Sequence, residues 1–481
     1  MAEPVDWLVK GTVVTMDEHR RVITDGAVAI GGERIVAVGQ ASDLEQRFEA
    51  DRVGGGPRKF VIPGLIDCHN HLAQVLVREY ALEDLPNIYR VYIPCELAMD
   101  ADDARVSASI GIAQLLRAGV TTVAETTCTV SHEEPIADTV MATGIRCALA
   151  RGQGDRTSRL ASNYEQIEGR SSAQDDPGLL REDLAVCEEF VARWQERGEG
   201  RLRPWIHNLG LPSCSDERYH RTAEMARRLD TGVMTHINRD REEVELAIAL
   251  FGERPIEHLH RIGVLDDRLV CIHAMLTTDR EIEMLAAAGT KLAHAPIVCT
   301  DIVSAVTPVP SLRTAGVTVG LGCDTVINDL FKVMRIAFVM HTQSTGIRLY
   351  DPLSFTTQDA FEIATIDAAR LLRWDDEIGS IEPGKAADVV LVDGDNVRLT
   401  PSYNPVGTLV RYATGTDVEN VWVAGRLLVE GGRLLTIDEP ALLDESASLA
   451  RKLADDLGPR RYWPLAGGRL YERHGGAPAR A

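Results

Sequence analysis

The sequence has no lysine between Lys59 and Lys291, so nothing built on a lysine side chain can come from that stretch. No apolar run approaches the ~20 residues that cross a bilayer. The N-terminus, "MAEPVDWLVKG", is acidic and has no signal-peptide core. Positive charge is also scarce: 51 Lys and Arg stand against 72 Asp and Glu, a net charge of −21. A phosphate backbone would be repelled, which argues against nucleic acid as a partner. The nine cysteines are scattered and include no CxxC. That pattern excludes a thiolate zinc site and a disulfide frame, and fits reduced thiols. The expectation is a cytoplasmic protein with neither membrane nor nucleic-acid partners.

What is present is a repeat of one theme. From Val61 to Asp324 short apolar strands alternate with amphipathic helices. The strands read "VIPGLID", "VTTVAET", "IRCALARG", "RPWIHNLG", "GVMTHIN", "LVCIHAM", "KLAHAP" and "VTVGLGCD". Gly119, Gly144 and Gly289 stand where helix C-caps belong. Eight such units predict an α/β chain folded as a (β/α)8 TIM barrel over residues 61–384. An open doubly wound sheet is disfavoured, since no glycine-rich phosphate loop follows the first strand. The ends differ. "WLVKGTVVTM" and "GAVAIGGERIVAVG" near the start, with "ADVVLVDGD" and "VENVWVAGRLLVEGGRLL" beyond residue 385, are short strands broken by glycine turns. They predict a small β-sandwich built from both chain ends, residues 1–60 with 385–440. A terminal helix and a loosely ordered glycine-rich tail are expected over 441–481.

Barrels of this kind carry their chemistry at the C-terminal ends of the strands. His69 and His71 end strand 1, His236 strand 5, His273 strand 6, His294 strand 7 and Asp324 strand 8. Side chains two apart on a strand point to one side, so His-x-His aims two imidazoles into the barrel mouth. Neutral imidazole suits zinc, iron(II) and cobalt. Any one of these histidines could be a hydrogen-bonded filler; five of the 13 at strand ends, with an aspartate, make that reading poor for the set.

Here the chain resembles the amidohydrolase superfamily, in the group of triazine hydrolases, guanine deaminase and adenosylhomocysteine deaminase. The matching segments are "VIPGLIDCHNH", "GVTTV", "THI…REEVE", "CIHA", "LGCD" and "ATIDAARLL…EIGSIEPGKAADVVLVD", in the expected order. The resemblance implies that His69, His71, His236 and Asp324 bind one divalent metal ion, zinc foremost. It implies that His273 and Asp324 are catalytic and that the enzyme is a homo-oligomer acting on small molecules. Some members bridge two metals with a carboxylated lysine of the barrel; the lysine gap removes that bridge. Glu125 at the end of strand 2 could bridge instead, though a buried acid capping a strand is the commoner case.

The sequence departs from those relatives at one decisive place. Guanine deaminase-like members carry a glutamate three residues after the strand-5 histidine, which moves a proton to a ring nitrogen. Arg239 stands there, and a guanidinium cannot act as that base. Val298 and Cys299 replace the Ser-Asn found after the strand-7 proline, and "TVINDLF" after Asp324 has no serine. Gln74, Arg239, His294, Cys299 and Asn328 are the candidate substrate contacts. A less polar pocket without the shuttle favours attack on an acyl carbon, where the metal can hold the developing charge on oxygen. The expected substrate is an N-substituted (aryl) urea or (thio)carbamate with an apolar body. Phenylurea hydrolases and thiocarbamate (molinate-type) hydrolases are the branches similar to that description. The alternative is a deaminase or dechlorinase of a triazine, purine or pyrimidine ring.

Overall fold

The structure is a computed structural model and describes residues 2–78, 88–126, 132–157, 173–300 and 305–457. Strands β1 (Glu3–Val14), β2 (Val22–Gly31), β3 (Arg34–Gln40) and β4 (Phe48–Pro63) come from the N-terminal end. Strands β5 (Leu65–Asn70), β6 (Val120–Thr126), β7 (Arg146–Arg151), β8 (Leu202–Asn208), β9 (Val233–Ile237), β10 (Leu269–His273), β11 (Lys291–His294) and β12 (Val319–Leu321) form one parallel sheet in sequence order. Strands β13 (Val389–Asp393), β14 (Val418–Val423), β15 (Arg426–Glu430) and β16 (Arg433–Leu434) return to the first sheet.

The parallel sheet closes. The Asp324 N–H, just beyond β12, donates to the His69 carbonyl on β5 at 2.8 Å. Small and branched residues fill the barrel, among them Ile66, Cys68, Ala124, Ala148, Met234, Val270 and Ile272. A (β/α)8 barrel stacks such side chains in layers, so the centre is packed and only the mouth is open for chemistry. Helices cover the outside and are capped by their own sequence. Asp100 and Asp103 make a capping box for the Ala101–Arg117 helix, and Thr278 and Glu281 make one for Asp279–Ala288.

The second sheet, ordered β16-β15-β14-β13-β4-β1-β2-β3, is the separate sandwich-like unit made from both ends. Trp7 and Trp422, one from each end, meet edge to face with ring centroids 5.1 Å apart. Such a pair contributes about 0.5–1.5 kcal/mol beyond area burial. Two details differ from the sequence reading. "VIPGLID" is not one strand. Val61, Ile62 and Pro63 end β4 in the outer sheet, and β5 starts the barrel after Gly64. A Cβ at Gly64 would lie 2.0 Å from Thr121 Oγ1, so only glycine lets the chain cross there. The N-terminal end also supplies four strands rather than two. The extra long one, β4, hides in the charged, glycine-rich "FEADRVGGGPRKF", where no alternation shows.

A buried bidentate pair joins the two units. Arg146, which opens β7, donates from Nε to Asp388 Oδ2 at 2.8 Å and from Nη2 to Oδ1 at 3.1 Å. Asp388 immediately precedes β13. The C-terminal helix runs from Glu439 to Leu457; the tail beyond it lies outside the described residues. Among the described residues no helix is long and apolar enough to cross a membrane.

Candidate active site and metal centre

Four of the strand ends converge. The His69 ring centroid lies 4.7 Å from that of His71 and 5.1 Å from those of His236 and His273. His71 and His236 stack at 5.5 Å. Ligand atoms of His69, His71 and Asp324 lie within 4.8 Å of one another, as do those of His69, His236 and His273. Asp324 Oδ2 is 3.4 Å from His69 Nε2 and 3.9 Å from His273 Nε2. All five side chains are buried.

Backbone geometry holds the cluster. Asn238, His273 and Asp324 have φ of 47°, 72° and 54°, left-handed values that cost a non-glycine residue of order 1–3 kcal/mol. Asp67 ties the strand ends together: Oδ1 accepts from the His69 and Cys323 N–H groups at 3.2 and 2.9 Å, and Oδ2 accepts from Asn70. Burial pushes the Asp67 carboxyl up to about 6. The Thr307 hydroxyl donates to the His273 carbonyl at 2.9 Å.

Three of the imidazoles have one nitrogen spoken for. His71 Nδ1 donates to the Thr126 carbonyl, and His69 Nδ1 meets the Thr126 hydroxyl at 3.2 Å. His236 Nδ1 lies 3.2 Å from His207 Nε2. Burial holds four rings neutral: His71 falls to about 4 and His207 to about 3, while His236 and His273 sit well below the usual range. Burial also opposes the Asp324 charge, but His69, His71 and His273 outweigh it and hold the carboxyl below the ordinary carboxylate range. Neutral imidazoles around an anionic carboxylate are the donor set that a divalent ion wants. His69 Nε2 is fully buried with no hydrogen-bond partner, although Asp324 Oδ2 faces it. A cation between those two lone pairs would remove the conflict, so the residues fit the implied metal.

The remaining candidates are spread more widely. Arg239 pairs with Asp240 and with Glu243 at the start of the Arg241–Phe251 helix, and its charge adds a smaller contribution to the burial that lowers the proton affinity of His273. Gln74 lies buried on the turn after His71 and donates to Glu96. Cys299 belongs to an apolar group with Met275, Ala295, Ile297 and Val298, against which Val326 and Ile327 pack. Burial pushes its thiol up, away from reactivity. Asn328 has both ends engaged, accepting from Asn70 at 2.9 Å and donating to Gln114 at 3.2 Å. His294 pairs with His341 of the Leu330–His341 helix at 3.1 Å instead of joining the four-strand cluster. Glu125 accepts from the Leu72 N–H at 2.7 Å, and burial raises its pKa well above the usual range; it caps the turn after His71.

Sequence reasoning missed three contributors. His207 ends β8 inside "RPWIHNLG", and its place at a strand terminus was the available signal. Thr126 and Asp67 act through a carbonyl, a hydroxyl and a carboxylate that no spacing rule marks.

This geometry coincides with the similarity to known proteins. Residues 60–428 match the amidohydrolase family. The chain belongs to that family. It is an enzyme, a metal-dependent amidohydrolase acting on C–N bonds. The 5-methylthioadenosine/S-adenosylhomocysteine deaminase of Syntrophobacter fumaroxidans is 30% identical over 456 residues, 93% of this chain and 98% of that protein. Its counterpart from Symbiobacterium thermophilum is 31% identical over 428 residues, 87% of this chain and 92% of that protein. Among solved structures, an adenosine deaminase from Xanthomonas campestris with bound zinc superposes with a TM-score of 0.84 at 26% identity, covering 94% of this chain and 99% of its own. The zinc complex of an atrazine chlorohydrolase from Arthrobacter aurescens shares the fold at a TM-score of 0.81 and 24% identity, covering 92% of this chain and all of its own.

Proposed function

We propose that this amidohydrolase cleaves the acyl C–N bond of an N-substituted urea or (thio)carbamate with an apolar body. One observation carries the reading: the third residue after His236 is a guanidinium, and the acid beside it, Asp240, has both oxygens engaged. Arg239 occupies the third position. Asp240 is the N-cap of the Arg241–Phe251 helix, its Oδ1 accepting from the Glu243 N–H at 2.7 Å and its Oδ2 from Arg239 Nε at 2.9 Å. Glu243, four residues further along the chain, accepts from the Arg239 N–H at 2.8 Å through Oε2, while its Oε1 is buried without a hydrogen-bond partner. Attack on an amino-heterocycle needs an acid for the ring nitrogen, whereas attack on an acyl carbon puts the charge on oxygen. The apolar group around Ile297, Val298 and Cys299 supports an apolar substituent.

In this reading His69, His71, His236 and Asp324 hold one divalent ion, zinc foremost. When bound, it polarises the acyl oxygen and acidifies water at neutral pH. Asp324 has Oδ1 tied to the Thr325 N–H at 2.6 Å, leaving Oδ2 to take the proton of the attacking water and pass it to the departing amine. His273, on the other side of Oδ2, donates to the acyl oxygen as charge develops. Arg239 stays protonated throughout and adds positive potential at His273.

The names of the curated relatives favour a second reading, deamination of an adenosine-like compound. A side-by-side measurement separates them: kcat/KM of the zinc-loaded enzyme on an aryl urea, a thiocarbamate, a chlorotriazine and 5-methylthioadenosine. Faster turnover of the urea or thiocarbamate is expected. A clear preference for either heterocycle overturns the proposal.

A further inference from the structure

We infer that His207 is a positioning residue for His236: the Gly152 carbonyl, the His207 ring and the His236 ring form a relay that fixes which nitrogen His236 turns to the barrel mouth. The inference rests on the proposed role of His236 as a metal ligand.

The relay spans the ends of β7, β8 and β9. His207 Nδ1 lies 3.1 Å from the Gly152 carbonyl and His207 Nε2 lies 3.2 Å from His236 Nδ1. A carbonyl can only accept, so the His207 proton sits on Nδ1. Nε2 of the neutral ring is then an acceptor, and His236 must donate its Nδ1–H. That leaves the lone pair of His236 on Nε2. A metal-ligating histidine is commonly oriented through its second nitrogen by a carboxylate, carbonyl or water. Here a second histidine does that, and a carbonyl in turn sets its tautomer.

Two further features build the relay in. Gly152 has φ of 129°, and a Cβ on it would lie 2.5 Å from the His207 carbonyl and 2.7 Å from Arg218 Nη2. Only glycine brings that carbonyl so close to β8. Arg218, fully buried, grips the end of β8: Nη2 donates to the His207 carbonyl at 3.0 Å and Nε to Asn208 Oδ1 at 2.9 Å. Asp183 pairs with its third arm. A histidine that merely filled space would not need its backbone clamped and its ring bonded at both nitrogens.

The test is zinc affinity, measured by competition with a chelator, alongside the unfolding midpoint of the metal-free protein. His207→Leu should weaken zinc binding roughly 10- to 100-fold, the usual cost of losing such a partner. His207→Gln, whose Oε1 can accept the same His236 N–H, should recover most of it at a similar midpoint. If leucine does not fold, His207→Met carries the same comparison. Wild-type affinity in His207→Leu or His207→Met, with zinc lost in His236→Ala, overturns the relay and leaves the ligand reading standing. Wild-type affinity in His236→Ala overturns both.

Discussion

Arg239 donates from Nε to Asp240 Oδ2 at 2.9 Å, and this one bond occupies both residues nearest to the place where a proton shuttle is missing. The arginine neutralises the acid, and the acid's other oxygen is already committed to capping the next helix. The arrangement turns a catalytic position into a structural one.

Arg239→Glu should therefore not raise kcat/KM on an acyl substrate. It removes a positive charge that acts on His273 and adds a carboxylate in its place, which raises the proton affinity of that imidazole. Weak activity on a chloro- or amino-heterocycle should appear instead. The readout is the ratio of kcat/KM on an aryl urea to that on a triazine, which should fall. An unchanged or higher ratio would show that position 239 does not set reaction type.

His69→Ala, His71→Ala, His236→Ala and Asp324→Ala should each lower metal content and abolish turnover. Metal per chain after dialysis, measured together with activity, checks this. A fully loaded and active Asp324→Ala enzyme is incompatible with the four-residue site.

His273→Ala should keep its metal and lose about 10²–10⁴-fold in kcat, the usual worth of a positioned acid or base. Loss of metal equal to that in His71→Ala would make His273 a ligand.

The metal-free protein should lose stability as pH falls from 6.5 toward 5. His71 and His207 titrate near 4 and 3 in the fold against an ordinary 6.5, so between those values the unfolded chain binds more protons. Their contribution is full above pH 6.5 and is lost on acidification. His236, His273, His294 and His341 are lowered in the same sense. Asp67 and Glu243, raised to about 6 and about 7, act oppositely, as does Glu125, because their contribution is lost as pH rises. Six lowered histidines against three raised carboxyls set the net sign. Urea midpoints of the metal-free protein between pH 5 and 7.5 should rise with pH; a flat or falling trend refutes this balance.

Asp388→Ala should destabilise the fold by about 3–5 kcal/mol, because Arg146 would remain buried without its partner. Replacing both residues with apolar ones of similar size should cost much less. Denaturant midpoints of the single and double variants make the comparison.

The barrel, and the meeting of His69, His71, His236, His273 and Asp324 at its mouth, were legible because they rest on strong local signals. Short apolar strands end in histidine or aspartate at positions that a closed parallel sheet must bring together. His294 shows the limit of that rule. It too ends a strand, yet it pairs outward with His341, a residue that no local pattern connects to it. Strand β4 was hidden because its pairing partners, β1 and β13, come from opposite ends of the chain and its own residues carry no alternation. His207 and Thr126 escaped because support for a ligand is carried by tautomers and carbonyls. Those depend on a neighbour's backbone and not on residue type.

The outer sheet also imposes an order on biosynthesis. Pro63 at the end of β4 pairs with Val389 of β13, so one edge of β4 stays open until nearly the whole barrel has left the ribosome. At ~5–20 residues per second that wait is on the order of tens of seconds. An open strand edge invites pairing with other chains. The residues that wait for β13 are Lys59 to Pro63, and the charge of Lys59 at one end and the missing N–H of Pro63 at the other make that edge a poor template.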